Sequence, residues 1–245
     1  MELTTVVSAS RPDLGRQVEE VFSVGWPEFI FHEATVKQYM DRAGDFFSAF
    51  NLLLLDENDH IAAGGWGVPL TWDGTVAGLP AGYTDALVRS VEQHERGTRP
   101  DTFVLMAAQV REGLQGRGLA AELLDRLRDR ALTEGLTRVI APVRPTLKAR
   151  YPLTEMARFA GWTRSDGTPL DPWLRIHHRM GARILCPAER SMVVRGTVAE
   201  WEQWTDMAFP DSGAYVVPGA LAPVLIDREA DTGEYAEPNV WMRHV

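Results

Sequence analysis

Apolar residues change their spacing several times along the chain, and each change marks an element. "LTTVVSA" (3–9) alternates enough for a first strand. "RPDLGRQVEEVFSVGW" (11–26) sets Leu14, Val18, Val21 and Phe22 at helical spacing, with Ser10 or Asp13 able to cap the start. A loop and a second helix ending near Gly44 follow within 27–50. "NLLLLDENDHIAAGGWGVPLTW" (51–72) is two apolar runs divided by the polar cluster Asp56–Asp59, which predicts a hairpin. Gly64, Gly65 and Gly67 weaken its second strand and imply a bulge or a close backbone approach. "TDALVRSVEQH" (84–94) predicts a short helix capped by Thr84, and "TFVLMAAQV" (102–110) a strand after Pro100.

The clearest helix spans 119–134. Leu119, Leu123, Leu124, Leu127, Ala131 and Leu132 form its apolar stripe, and Gly135 ends it. "TRVIAPVRP" (137–145) is the next strand, so 102–145 predicts a strand–helix–strand unit of right-handed parallel type. A long loop (144–170) holds Tyr151, Phe159 and Trp162, the aromatics belonging either to a helix near 154–160 or to a pocket. "DPWLRIHHRMGARIL" (171–185) opens a helix with Asp171 as N-cap and Pro172 at the first position. Beyond it, "GTVAEWEQWTDMAFP" (196–210) reads as a helix with Val198, Trp201 and Trp204 on its core side. "APVLIDR" and "YAEPNVWMRHV" read as strands joined by "EADTGE". The pattern as a whole predicts one α/β domain: a core over 1–190 and a C-terminal helix-plus-strand extension over 191–245 packed on it.

With 245 residues, 45% of them hydrophobic, the chain can bury a substantial core. No apolar run reaches the ~18 residues of a membrane span, and "MELTTVVSASRPDLG" has neither the basic start nor the apolar run of a secretory signal. The single cysteine, Cys186, excludes an internal disulfide; in "ARILCPAE" it reads as a buried structural thiol. These features point to a soluble cytoplasmic protein without a membrane partner. The net charge of −9 is unevenly spread. Residues 111–190 hold 15 basic and 9 acidic residues, and the remainder 10 and 25. A basic centre in an acidic frame suits an anionic ligand on one side, and the acidic total argues against nucleic acid. His177 and His178 are adjacent, face different sides of a helix and lack i+4 partners, so no metal site is expected.

The anion finds its place at "QGRGLA" (115–120), between the strand at 102–110 and the long helix. A helix start has unsatisfied N–H groups and partial positive charge, and glycine lets a ligand reach the backbone. The Walker phosphate-loop pattern is absent. The dinucleotide pattern fits poorly: Ala121 takes the place of the third glycine, and no acidic residue ends the strand "VIAPVRP".

Gln115-x-x-Gly118-x-Ala120 and the wider "VREGLQGRGLAAELL" (110–124) resemble the main motif of the GCN5-related N-acetyltransferases (GNAT). The order of elements over about 1–190 resembles that family too. The resemblance implies a mixed central sheet, partly splayed and flanked by helices, and an acyl-CoA substrate. Backbone N–H groups of Gln115, Gly116, Arg117, Gly118, Leu119 and Ala120 would cradle the pyrophosphate of coenzyme A, and Val110 would offer its backbone to the pantetheine arm. The Arg117 side chain either adds charge to a phosphate or is solvated. The family's leaving-thiol acid is commonly a tyrosine four residues before a glycine. Here Gly181 matches the glycine and His177 stands in for the tyrosine, as a tentative acid or base. The strand "VLMAAQV" supplies no carboxylate base, and Gln109 is its nearest polar residue.

The implied reaction moves an acyl group from acyl-CoA to the amine of a small molecule. Tyr151, Trp162, Asp171 and Trp173 are the expected lining residues for the acceptor, although Asp171 also fits its capping role. The acidity of the N-terminal half and the extension favours a cationic acceptor. Three alternatives stay open: an acyl carrier protein as donor through its phosphopantetheine, a non-catalytic CoA binder, and a thioester hydrolase or decarboxylase on the same fold. The extension also offers a surface for a homodimer.

Overall fold

The computed structural model describes residues 3–244. Val245, at the end of the last expected strand, lies outside the described residues. The elements in chain order are β1 (Thr4–Val7), α1 (Gly15–Phe22), α2 (Ala34–Phe46), β2 (Asn51–Leu55), β3 (Ile61–Leu70), α3 (Tyr83–Glu95), β4 (Thr102–Val110), α4 (Leu119–Thr133) and β5 (Arg138–Val143). Then come α5 (Met156–Ala160), α6 (Pro172–Arg179), β6 (Arg183–Gly196), α7 (Val198–Thr205), β7 (Gly213–Tyr215), β8 (Val224–Asp227) and β9 (Thr232–Arg243). One mixed sheet runs β1-β2-β3-β4-β5-β9-β8-β7, with β6 also paired to β9.

The sheet is buried on both faces, which explains the unbroken "NLLLL" of β2. Side chains alternate across a strand: Leu52 and Leu54 enter the main core with the α4 stripe, while Leu53 and Leu55 join Leu14, Val21 and Ile61 on the other side. The three glycines of β3 mark both a bulge and a close approach. The β3–β4 register shifts between Trp66 and Gly67, leaving Met106 without a partner residue. A Cβ at Gly65 would lie 2.6 Å from the Ala107 carbonyl oxygen, and one at Gly67 2.3 Å from the Phe103 ring.

Two expectations are corrected, the Thr84 cap and Leu132 in the α4 stripe, and two element bounds are sharpened. Thr84 does not cap α3: Gly82 precedes the helix without a side-chain cap, and the Thr84 hydroxyl is buried and unpaired. Leu132 is 46% exposed, because at about 100° per residue it points well away from the side that Leu123, Leu127 and Ala131 bury. Gly44 does not end α2, which continues to Phe46. The boundary expected at 190 falls inside β6, and the extension does more than cover the core. Its last strand enters the sheet, pairing β5 through Val240–Arg243 on one edge and β6 on the other. Core strands β5 and β6 therefore do not touch as neighbours; the chain terminus separates them. Trp201, Tyr235 and Phe209 of the extension close over Phe29 and Ile30 as a second apolar cluster.

Candidate active site

The sheet opens where the motif begins. β4 pairs with β5 only through Thr102, Phe103 and Val104, whereas it stays paired with β3 as far as Val110. From Leu105 onward its β5-facing edge pairs with no strand, and the Val110 carbonyl accepts a long 3.4 Å contact from Gln115 Nε2. The Arg111 N–H bonds the Ala62 carbonyl, so Gln109 and Arg111 direct their backbone groups to β3. By the alternation of an antiparallel ladder, those of Ala108 and Val110 face the gap.

The free edge leads into the turn 115–118. Gly116 and Gly118 have φ of 79° and 83°, a left-handed conformation that disfavours other residues. Gly118 is the N-cap of α4 and no side chain caps the helix. The first helical bond is Glu122 N–H to Gly118 O, and among the described residues the N–H groups of Gln115 to Ala120 have no protein partner. The turn is exposed at the mouth of a cavity, where an anion can satisfy these groups. The Gln115 side chain turns back on the loop instead, accepting from Gly113 N–H at 2.8 Å. These features fit the diphosphate of a CoA thioester.

The cavity is about 1440 Å³, larger than the roughly 300–1,000 Å³ usual for one small ligand. It has room for a thioester arm and an acceptor. One end is lined by Val110, Gln115, Gly116, Gly118, Leu119 and Ala120. Arg111 and Arg179 also line it, and neither forms an ion pair among the described residues. Much of the remaining basic charge of this region is absorbed on α4 itself, where Arg126 pairs with Glu122 at 2.6 Å and Arg130 with Glu134 at 2.9 Å. Arg117 is exposed and off the cavity wall.

The expected acceptor residues divide. Trp173 lines the cavity, but Tyr151, Trp162 and Asp171 do not. Tyr151 and Trp162 pack edge to face with ring centroids 5.0 Å apart, part of an aromatic group with Phe159. Asp171, 1% exposed, is consumed by backbone. Its Oδ1 accepts from Trp173 N–H at 2.9 Å and Leu174 N–H at 3.0 Å, and its Oδ2 from Leu147 N–H at 2.7 Å. It fixes α6 to the chain leaving β5, and an acceptor amine cannot claim it. Asp171→Ala should cost about 2 kcal/mol, from the lost cap and stranded donors. That corresponds to roughly 4–8 °C in Tm by calorimetry for a domain of this size.

His177 lines the cavity but is 2% exposed. Its Nδ1 lies 2.8 Å from Nε2 of His244, and its own Nε2 is buried without a partner. Burial, then the neighbouring ring, lowers the His177 pKa to about 3, and burial and Arg128 lower that of His244 to about 4. Both rings are neutral at physiological pH. Gln109 is fully engaged, its Oε1 accepting from Trp26 Nε1–H at 3.0 Å and its Nε2 donating to the carbonyls of Val21 and Val24. It therefore tethers the segment after α1 to β4.

The far end of the cavity holds residues that sequence reading missed. Trp26, Trp66, Tyr83, Arg144, Glu237 and Asn239 line it. Glu237 is 1% exposed; its Oε2 accepts from Arg144 Nε–H at 3.0 Å and from the Tyr235 hydroxyl at 3.1 Å. Burial and the Glu237 carboxylate push the Tyr83 phenol well above its usual range. One signal was available: in "YAEPNVW", Glu237 shares the inward alternation of Tyr235 and Trp241, where a carboxylate is out of place unless it has work to do. Cys186 is half-buried, with its pKa raised by burial, which is the opposite of an activated thiol. Among the described residues no group of three or more His, Cys, Asp or Glu could hold a metal ion, and no helix is long and apolar enough to cross a membrane.

Residues 19–158 match the model of the Acetyltransferase (GNAT) family. Arginine N-acetyltransferase avaD of Aspergillus versicolor is 28% identical over 268 aligned positions, covering 97% of this chain and 92% of that protein. The loading GNATL domain of CurA from Lyngbya majuscula superposes with a TM-score of 0.63 at 16% identity, over 100% of this chain and 98% of that one. The GphF GNAT-like decarboxylase in complex with isobutyryl-CoA gives 0.55 at 16% identity, over 78% and 90%. At these identities the structural likeness concerns the fold alone.

Proposed function

Because this chain belongs to the acetyltransferase (GNAT) family and is an N-acyltransferase, we propose that it transfers the acyl group of acyl-CoA to the amine of a small cationic molecule. The single observation that carries this reading is the continuity of three features. The bare N–H groups of the 115–120 turn, the gap-facing backbone of Ala108 and Val110, and the deep polar end share one cavity. A diphosphate at the turn would lay the pantetheine along the β4 edge as an added strand. The thioester would then reach the bulge near Met106. A gap-facing N–H such as that of Ala108 is the kind of fixed donor that stabilises a developing oxyanion. The acidic residue at the far end and the arginine-acetylating relative favour a cationic acceptor.

His177 serves the leaving group in this reading. Its ring is neutral, so it contributes a hydrogen bond through Nε2 rather than a stored proton. With Nδ1 accepting from His244, Nε2 bears the hydrogen and hydrogen-bonds the departing sulfur, which takes its proton from the attacking amine, so the ring itself gives none up.

The test is thiol release from acetyl-, propionyl- and malonyl-CoA with a panel of amines, with product mass measured. Amide formation at the amine supports transfer. Carbon dioxide release from malonyl-CoA without an amide would replace it with decarboxylation. Turnover only after the acyl group is loaded on a carrier protein would move the donor from free CoA to a carrier. His177→Ala should lower kcat roughly 30-fold, less than the roughly 100-fold or more of a full general acid, because the neutral ring supplies a hydrogen bond only, while CoA affinity stays unchanged. Unaltered kcat would remove His177 from the mechanism.

A further inference from the structure

The Glu237–Arg144 pair is unusual in what it leaves unused. Glu237 Oε2 has two strong partners, but Oε1 has only Asn239 Nδ2 at 3.4 Å. Arg144 spends Nε on Glu237 and one Nη2 hydrogen on the Gly219 carbonyl at 2.8 Å. Its Nη1 hydrogens have no partner among the described residues. The guanidinium lies 5.4 Å from the centre of the Trp26 ring, which holds it in place at the cavity wall. The Tyr83 hydroxyl, also on that wall, makes no hydrogen bond among the described residues. Glu237 Oε1 with its one long contact, the unpaired Arg144 Nη1 hydrogens and the Tyr83 hydroxyl stand on the wall of one cavity, where an occupant can pair with them.

A buried ion pair adds little stability compared with apolar residues of similar volume, so stability alone does not account for it. Its chemistry does suggest an occupant. It presents a carboxylate oxygen and guanidinium N–H groups side by side, one hydrogen-bond acceptor next to a pair of donors. A simple amine would use only the first. A carboxylate would use only the second. The group that uses both is the α-amino acid backbone, whose amine and carboxylate are attached to the same carbon.

We propose that the Glu237–Arg144 pair selects a free α-amino acid as the acyl acceptor, with Arg144 Nη1 donating to its carboxylate and Glu237 Oε1 accepting from its α-amine. This inference rests on the acyltransferase reading and adds to it the class of acceptor and the two residues that recognise it. Asn239 and Ser191 hold the site in shape: the Ser191 hydroxyl donates to Asn239 Oδ1 at 2.5 Å and accepts from Tyr83 N–H at 2.8 Å. The extension supplies Glu237, Asn239 and the Gly219 carbonyl, so the acceptor end is completed by the segment that the core alone lacks.

The experiment compares acceptors that differ only in the carboxylate. L-Arginine and agmatine are one such pair, and the other common L-amino acids are run beside their decarboxylated amines. Both turnover and calorimetric binding to the CoA-bound protein are measured. At least one amino acid should exceed its amine by 10-fold or more in kcat/KM and in affinity. Arg144→Lys, which keeps charge and loses the planar fork, should erase most of that preference by raising KM for the amino acid far more than for the amine. Arg144→Met alone strands a buried carboxylate and threatens folding. The double variant Arg144→Met with Glu237→Gln removes both charges, and retained CoA binding verifies its fold. It should lose amino acid binding altogether.

Amines used as well as amino acids by the wild-type protein, or a preference untouched by Arg144→Lys, would overturn the inference while leaving acyl transfer intact. If no acceptor of either kind gives an amide, transfer itself fails. Binding then still decides the site: an amino acid held through Arg144 upholds it, and no amino acid binding ends it.

Discussion

Acidification should weaken this fold between pH 6.5 and about pH 4, and the His177–His244 pair is the cause. An unfolded histidine takes a proton near pH 6.5. The folded rings resist until about pH 3 and about pH 4. Through that window the unfolded chain binds more protons, so stability falls as pH falls. The ring–ring contact opposes a charge on either member, Trp173 packs edge-on against His177 from α6, and Arg128 of α4 bears on His244. The combined loss is on the order of 5 kcal/mol, a large share of a domain's usual 5–15 kcal/mol. The shifted carboxylates, such as Asp56, Asp101 and Glu234, have folded pKa values below their ordinary values of 3.8 and 4.5, so their stabilisation fades later, at lower pH. Denaturant melts at pH 7.5, 6, 5 and 4.5 should show the midpoint dropping across the histidine window. His244→Gln should flatten that limb. A midpoint constant from pH 7 to 4.5 would mean that the pair is charged in the fold.

Substituting Gly118 should weaken acyl-CoA binding by roughly 100-fold without disturbing the core. A Cβ there meets no protein atom within 4 Å, so nothing in the packing resists it. The cost comes from φ of 83°, about 1–2 kcal/mol for an ordinary residue and more for a β-branched one. A side chain also stands where phosphate oxygens approach the bare N–H groups. Free and bound protein share that strain, so it costs stability; the affinity loss comes from the obstruction, and at about 1.4 kcal/mol per factor of ten, Gly118→Val should cost roughly 3 kcal/mol of binding. Gly113 is the internal control. It has φ of 81° and open space, yet it does not line the cavity. Gly113→Val should cost similar stability and leave affinity for CoA nearly unchanged, as calorimetric titration would show. Equal affinity losses at 113 and 118 would mean that the diphosphate is bound elsewhere.

Much of the fold could be read from short-range signals. The stripe of α4, the Asp171–Pro172 start of α6 and the glycines of β3 each answer a local requirement: a buried face, a satisfied helix end, a close backbone. Such requirements are met by residues within a turn or two, so sequence order displays them. The "QGRGLA" turn was legible for the same reason, since its function comes from backbone and needs only glycines at the right two positions. Errors arose where a residue had two plausible local duties. Asp171 could cap or bind, and the backbone N–H groups of Trp173, Leu174 and Leu147, which occupy both its oxygens, decide for capping. Thr84 looked like a cap, but the turn at Gly82 placed the helix start one residue earlier.

By itself, then, the sequence determined a strand–turn–helix with glycines at its start, the family to which it belongs, and the absence of a strand carboxylate. Tertiary structure alone decided what completes the site. Arg144 and Glu237 are 93 positions apart, and His177 and His244 are 67 apart. Both meetings depend on β9 entering between β5 and β6 in one register. Alternation tells which face a strand residue takes, but it does not tell which strand will lie beside it. That choice is made by the burial of the whole sheet, with the Trp201, Tyr235 and Phe29 cluster closing behind it.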